Sequence, residues 1–251
     1  MIRARAILLA LAAVTGLSGM ACAQPRNAAL SARPEAVTAT TLPAGVTPLS
    51  HGALVYRPAN AEGQRPLIVL LHGAGGNARD MLNAFRQDAD ERGYLLLSLQ
   101  SKEVTWDLIV SASQSRSRMA DPRFGADVPR IDAVLKQVFA QASVDPRRIV
   151  LAGFSDGANY ALSLGLANPD LFTGILALSP GFMVPPDKVG GGQRVFIAHG
   201  RSDRVLAFSN AQRIADILGT TDLRLRFLPF DGGHVMGRAA TAEGVEFLLG
   251  R

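Results

Sequence analysis

Three residues of this chain carry the side chains of a nucleophile, a general base and an orienting acid. Ser155 lies in the pentapeptide GFSDG (153–157), which fits the pattern G-x-S-x-G. The apolar run before it and the small-residue stretch after it predict a strand, a sharp turn and a helix, the context that exposes a nucleophilic serine. Because a serine hydroxyl is a weak nucleophile at neutral pH, it needs a base, and the base needs a carboxylate to orient it.

His234 and Asp203 are the best candidates for that base and that acid. In the order Ser155, Asp203, His234, each residue follows a predicted strand, and parallel strands bring such loops to one edge of a sheet. Histidine also titrates near neutral pH without perturbation, as a general base should. The alternatives are three other histidines and three other aspartates: His51, His72, His199, Asp170, Asp187 and Asp231.

A glycine-rich turn, HGAGG (72–76), follows an earlier apolar stretch. Such a turn lets backbone N–H groups point at one spot without interference from side chains. It could therefore form half of an oxyanion hole. A plain connection between a strand and a helix is the alternative reading, and the nucleophile pattern further along the chain favours the functional one.

Apolar stretches alternate with helical patterns along most of the chain, which predicts a mostly parallel sheet with helices on both faces. The predicted strands are 53–57, 66–71, 94–99, 149–154, 174–178, 194–198 and 223–229. Residues 101–126 show no clear periodicity, and we interpret them as a pocket wall in which Trp106 contacts the substrate. A tryptophan packed in the core is the alternative. The loop 180–192 offers Phe182 as a second pocket residue and is too short for a separate lid domain.

Composition limits the classes of function. The 251 residues are 48% apolar with a net charge of +5, and no block of basic residues indicates nucleic-acid binding. Arg3 and Arg5, an apolar core and the small residues before Gln24 are typical of a secretory signal, predicted here as 1–23. The apolar run is too short to span a bilayer, so we expect no stable membrane insertion.

Cys22 allows a second interpretation of the leader, a lipid-modified N-terminal cysteine. A larger apolar residue is usual three positions before such a cysteine, and here that position is Gly19. Cleavage after Ala23 would remove this single cysteine, so the exported chain could form no disulfide. We predict a flexible lead-in over 24–48 and one catalytic domain over 49–251. The oligomeric state is not indicated.

Four motifs in this order give the chain a specific resemblance: HGAGG (72–76), GFSDG (153–157), HGRSD (199–203) and GGH (232–234). Residues 52–250 resemble the α/β-hydrolase serine esterases, in particular the carboxylesterase/phospholipase group and the polyhydroxybutyrate-depolymerase and feruloyl-esterase-like group. The resemblance implies Ser155 as nucleophile, Asp203 as acid and His234 as base. It also implies oxyanion donors at the backbone of Asp156 and of Ala74, with Gly75 as the alternative to Ala74.

The expected function is therefore hydrolysis of soluble short-chain or aromatic esters by an exported enzyme, periplasmic or secreted, through an acyl-enzyme on Ser155. This chemistry needs no metal and no organic cofactor. A peptidase or amidase and a polyester depolymerase would use the same triad, but the missing disulfides argue against polymer degradation. A non-catalytic binding protein on this scaffold would more often have lost Ser155 or His234.

Overall fold

The computed structural model describes residues 28–35, 40–114, 122–186, 189 and 192–250. Within them an eight-stranded sheet has the order β1-β2-β4-β3-β5-β6-β7-β8. The strands are β1 Gly45–Pro48, β2 Leu54–Arg57, β3 Arg65–Leu71, β4 Leu95–Leu99, β5 Val144–Phe154, β6 Gly174–Leu178, β7 Arg194–Gly200 and β8 Arg224–Phe230. The pairs β1–β2 and β2–β4 are antiparallel. All other neighbours are parallel.

Six α-helices cover the sheet within this part of the chain. They are α1 Ala78–Arg92, α2 Asp107–Gln114, α3 Asp127–Phe139, α4 Asp156–Ala167, α5 Phe208–Leu218 and α6 Arg238–Leu249. None of these helices is long and apolar enough to cross a membrane. Helix α1 begins after Asn77, whose side chain accepts the Asp80 N–H, and ends at Gly93 with a positive φ of 71°.

The residues of β3 show why both faces of the sheet need cover. Leu67, Val69 and Leu71 are buried in one apolar core with residues of α3, α4 and α5. Ile68 and Leu70 are buried in a second core with residues of α1 and α6. Successive side chains of a strand point to opposite faces, so an almost wholly apolar strand is stable only between two helical layers. The predicted architecture is therefore confirmed.

The predicted flexible lead-in differs from the structure in two of its parts. Residues 45–48 form the edge strand β1. In the segment 28–35, Ala28, Leu30 and Ala32 are buried. Alternate apolar residues let this segment pack on the core while its backbone binds polar side chains of α3 and of the loop after α4. The predicted leader, with Cys22, lies outside the described residues.

The stretch 101–126 also differs from its prediction, because α2 forms within it. Leu108 is fully buried on that helix. One anchored residue on an eight-residue helix is too little to produce a recognisable period in the sequence. Residues 115–121 lie outside the described part of the chain.

Candidate active site

Ser155 occupies the sharp turn between β5 and α4. Its φ is 55° and its ψ −119°, a conformation that costs a non-glycine residue about 1–3 kcal/mol. The Ser155 N–H donates to the carbonyl oxygen of Leu178, at the end of the neighbouring strand β6, over 2.9 Å. Helix α4 begins at the next residue, so the side chain projects from the carboxyl edge of the sheet.

The two glycines of the turn are required by close backbone approach. A Cβ atom at Gly153 would lie 2.1 Å from the Gly157 carbonyl oxygen, and one at Gly157 would lie 2.2 Å from the Leu71 carbonyl oxygen. Both distances are far below van der Waals contact, and the obstacles are backbone atoms that cannot move aside. Helix α4 can therefore approach β3 and β5 closely only with glycine at these positions.

The structure brings the three predicted side chains together. His234 Nε2 lies 2.9 Å from Ser155 Oγ, and His234 Nδ1 lies 2.7 Å from Asp203 Oδ2. Asp203 follows β7 and His234 follows β8, while Gly200 has no side chain to separate their loops: a Cβ there would lie 2.3 Å from the Gly233 carbonyl oxygen. A hydroxyl, an imidazole and a carboxylate in this order can transfer one proton from the serine to the histidine.

The environment of Asp203 favours its ionised form. Burial raises its pKa, but the hydrogen bond from His234 and the N–H groups of Leu206 and Val205 outweigh burial, and the pKa is lowered. Those two amides donate to Oδ1 over 2.9 and 2.8 Å. An ionised Asp203 can hold the His234 Nδ1–H and stabilise the imidazolium formed when His234 accepts a proton.

Two of the alternative acids and one of the alternative bases lie elsewhere or have other partners. Asp231 is exposed and faces Arg201 at 4.0 Å. Asp170 pairs with Arg33. His51 is part of a short 3₁₀ turn. Asp187 lies outside the described residues.

The turn of residues 72–76 distinguishes between the two predicted oxyanion donors. The Gly75 N–H donates to the Val104 carbonyl oxygen over 2.8 Å, so the alternative donor at Gly75 is wrong. No hydrogen bond between described residues uses the N–H of Ala74 or of Asp156. Asp156 is the first residue of α4, where free amides and the helix dipole favour a negative charge.

His72 holds this turn instead of taking part in proton transfer. Its Nδ1 contacts the Gly73 carbonyl oxygen at 2.7 Å, so Nδ1 carries the hydrogen. Its Nε2 accepts the Ser101 N–H over 3.2 Å. Burial lowers the pKa of His72 and keeps the ring neutral, as these bonds require.

The prediction that Trp106 lines the substrate pocket is wrong. Trp106 is 0% exposed, and its indole N–H donates to the His72 carbonyl oxygen over 2.8 Å. Its ring lies 5.1 Å from those of His72 and Tyr160. A buried indole needs an acceptor for its N–H, and the turn after β3 provides one. Phe182, the other predicted pocket residue, is half-buried and packs against the core.

Sequence reasoning missed three residues that position the site. Thr105 donates its hydroxyl to the Asp156 carboxylate over 2.7 Å. Asn159, buried on α4, accepts the N–H of Phe182 over 3.0 Å. His199 contacts Asp203. Asn159 lies one helical turn after Ser155, and His199 is the first residue of the HGRSD motif (199–203). Thr105 gave no signal beyond its residue type.

Comparison with known proteins agrees with this geometry. A profile described as phospholipase/carboxylesterase matches residues 53–237. An acetylxylan esterase of Coprinopsis cinerea is 33% identical over 134 residues, 51% of this chain and 34% of the relative. An Aspergillus flavus protein described as a feruloyl esterase C is 27% identical over 180 residues, 70% of this chain and 64% of the relative. The chain thus spans about a third of the first relative's length and under two thirds of the second's.

A crystal structure of a Bacillus cereus carboxylesterase gives a TM-score of 0.59 at 21% identity, covering 78% of this chain and 92% of that one. At this identity the likeness concerns the fold alone. It confirms the α/β-hydrolase fold predicted from the sequence.

Proposed function

The chain belongs to the phospholipase/carboxylesterase family, and we propose that it is an exported serine esterase that hydrolyses soluble short-chain or aromatic carboxylic esters. One observation carries the proposal. His234 lies within hydrogen-bond distance of the Ser155 hydroxyl on one side and of the Asp203 carboxylate on the other, at 2.9 and 2.7 Å. The strained backbone at Ser155 and the unused amides of Ala74 and Asp156 supply the remaining parts of an acyl-transfer site.

The reaction follows from these positions. Ser155 Oγ bonds to the ester carbonyl carbon while His234 Nε2 accepts the hydroxyl proton, and the carbonyl oxygen becomes an oxyanion facing the amides of Ala74 and Asp156. The carbon–oxygen bond to the alcohol then breaks, and His234 returns its proton to the leaving alkoxide. Water attacks the acyl-enzyme by the same route, which releases the acid and restores the serine.

Exposed apolar residues next to site residues in the chain support esters with a small apolar part. Val104, Val205 and Val235 are 72%, 68% and 50% exposed. Val205 lies two residues after the acid, Val235 follows the base, and Val104 binds the oxyanion turn through its carbonyl. We name these three the valine rim. An open rim can contact a short acyl or aryl group but leaves a long chain in water, which forfeits about 0.8 kcal/mol for each methylene left unburied.

The relatives' names point to the same range of esters. An acetylxylan esterase and a feruloyl esterase act, by name, on a two-carbon acyl group and on an aromatic one.

Export rests on the leader pattern of residues 1–23, and N-terminal sequencing of the secreted protein should give Gln24. A diacylglyceryl-modified Cys22 would contradict this cleavage site.

A panel of p-nitrophenyl esters and aryl amides tests the activity. The wild type should hydrolyse C2–C6 and aromatic esters, whereas Ser155→Ala should lose at least about 10³-fold in kcat. Ser202→Ala, which changes an exposed serine after β7, serves as the matched control and should retain turnover. Equal turnover by wild type and Ser155→Ala, or a preference for amides, would refute the proposed function. A kcat/KM that still rises at C12 would refute the proposed chain length.

A further inference from the structure

A second buried histidine contacts the acid of the triad. His199, near the end of β7, is 0% exposed. Its Nε2 lies 3.1 Å from Asp203 Oδ2 and 3.0 Å from the Leu206 carbonyl oxygen. Because a carbonyl oxygen can only accept a hydrogen bond, Nε2 carries the hydrogen and donates it to the Leu206 carbonyl oxygen, while the same N–H lies beside Oδ2 of Asp203.

The other ring nitrogen gives the same assignment. His199 Nδ1 is buried and has no hydrogen-bond partner among the described residues. A hydrogen on Nδ1 would leave a buried donor unpaired, which is unfavourable, so the bonds fit the tautomer with hydrogen on Nε2 alone. The Phe208 ring packs edge-on against the imidazole, with centroids 6.0 Å apart, and fixes its plane.

The carboxylate of Asp203 thus accepts hydrogen bonds on both oxygens. Oδ1 accepts the amides of Val205 and Leu206. Oδ2 accepts the hydrogen bond from His234 and lies 3.1 Å from His199 Nε2. The amides belong to the loop that carries Asp203 itself. In the described part of the chain, His199 is the one basic side chain besides His234 that contacts this carboxylate.

We propose that His199 is a positioning residue of the triad: its Nε2–H, bonded to the Leu206 carbonyl, holds the loop that carries Asp203 in place for His234, and its approach to Oδ2 offsets negative charge on that oxygen. The proposal rests on the proposed function, because it assigns His199 a role in the same proton transfer. Without this N–H, the loop would hold Asp203 less firmly, which should slow turnover. Oδ2 would also carry more negative charge, which should make His234 more basic.

Other charged groups near this pair are solvent-exposed. The Arg201 guanidinium lies over the outer face of Phe208, 5.6 Å from the ring centroid, and faces Asp231. Arg204, next to Asp203 in the chain, is also exposed. Water screens these charges, and substitutions at His199 leave them unchanged, so a shift in the pH profile would report the lost donor.

Three substitutions at His199 separate donation from packing. His199→Phe keeps a ring of similar size and loses the donor, and it gives up no bond at the Nδ1 end. His199→Gln can place its side-chain amide nitrogen where Nε2 was. His199→Asn reaches only the position of Nδ1. Thermal unfolding and the pH dependence of kcat/KM for p-nitrophenyl acetate are measured for all four proteins.

We expect His199→Phe to fold, with kcat lowered about tenfold, KM nearly unchanged and the acid limb of kcat/KM moved to higher pH. His199→Gln should restore both kcat and the acid limb, and His199→Asn should behave like His199→Phe. A His199→Phe enzyme with wild-type kcat and acid limb would overturn the proposal. If His199→Phe does not fold, equal losses in His199→Gln and His199→Asn would overturn it.

A measurement without turnover separates this proposal from the proposed function. The proton between His234 Nδ1 and Asp203 can be followed by NMR as the pH is changed, and its titration midpoint should move to higher pH in His199→Phe and return in His199→Gln. A wild type inactive on every ester would refute the proposed function while this titration still decides the role of His199. An unmoved midpoint in an active enzyme would overturn the role of His199 alone.

Discussion

The indole N–H of Trp106 donates to the carbonyl oxygen of His72 over 2.8 Å, joining the loop after β4 to the turn after β3. The Gly75 N–H donates to Val104 two residues earlier in the same loop, and Thr105 donates to Asp156. Residues 104–106 therefore hold both candidate oxyanion amides in place, one on each side. This segment supports the site through these hydrogen bonds, and the Trp106 indole does not line the substrate pocket.

Replacing Trp106 by Phe should weaken the fold and lower turnover without changing substrate preference. The His72 carbonyl would lose its buried donor, which costs about 1–3 kcal/mol, and the turn carrying Ala74 would become less fixed. Urea unfolding gives the stability, and kcat/KM across C2–C8 esters gives the preference. Phe182→Leu is the matched control, since Phe182 is half-buried and remains a candidate pocket residue. An altered chain-length preference in Trp106→Phe would show that Trp106 contacts substrate after all.

Gly157→Ala should destabilise the protein by at least about 3 kcal/mol, because the new methyl group would overlap the backbone of Leu71. Gly63→Ala is the control: nothing lies within 4 Å of a Cβ there, and its φ of 66° should cost only about 1–2 kcal/mol. Chemical denaturation compares the two variants. Equal stabilities would mean that helix α4 can move away from β3 without loss.

Activity should fall as the pH decreases. His234 must be neutral to accept the serine proton, so protonation of this imidazole removes the base. Since the pKa of Asp203 is lowered by its hydrogen bonds, this carboxyl stays ionised between pH 5 and 8, and its protonation does not cause a loss of activity there. The test is kcat/KM on an activated ester under conditions where acylation limits the rate. A flat profile from pH 5 to 8 would exclude a histidine base.

Asp132 should control whether the segment 28–35 stays on the core. It accepts the N–H groups of Ser31 and Ala32, each over 2.7 Å. Burial raises its pKa, but bonds from Ser31, Lys136 and these amides outweigh burial and lower the pKa to about 2. A pKa lowered by folding gives stability at a pH above the unfolded value of about 3.9. That stability is lost as the pH falls towards 2.

Asp132→Ala should therefore speed amide hydrogen exchange in 28–35 at neutral pH. Asp170→Ala is the matched control, because the pair between Asp170 and Arg33 is exposed and such surface pairs contribute little. Exchange measured by mass spectrometry resolves this segment. Exchange in Asp132→Ala as slow as in the wild type would mean that the buried apolar residues alone hold it.

The sequence by itself determined seven of the eight strands in the described part of the chain, the fold and the likeness to esterases, which the structure and the family profile confirm. It also placed Ser155, Asp203 and His234 at the ends of parallel strands, which lie at one edge of the sheet. Their catalytic roles stay predictions. These features depend on local periodicity and on glycines that a sharp turn requires, and both are visible in a single stretch of chain.

The tertiary structure alone decided which polar groups are already occupied. Gly75 and Ala74 look alike in sequence, and only the approach of Val104 removes the Gly75 amide from the oxyanion site. The residues beside Trp106 in the sequence are the same whether its indole faces a substrate or the core. The indole lies in the core because the His72 carbonyl oxygen accepts its N–H there. The contact between His199 and Asp203 depends on the turn after β7, which folds Asp203 back over the imidazole. Hydrogen bonds between distant segments depend on ångström-scale placement, which residue type and spacing do not specify.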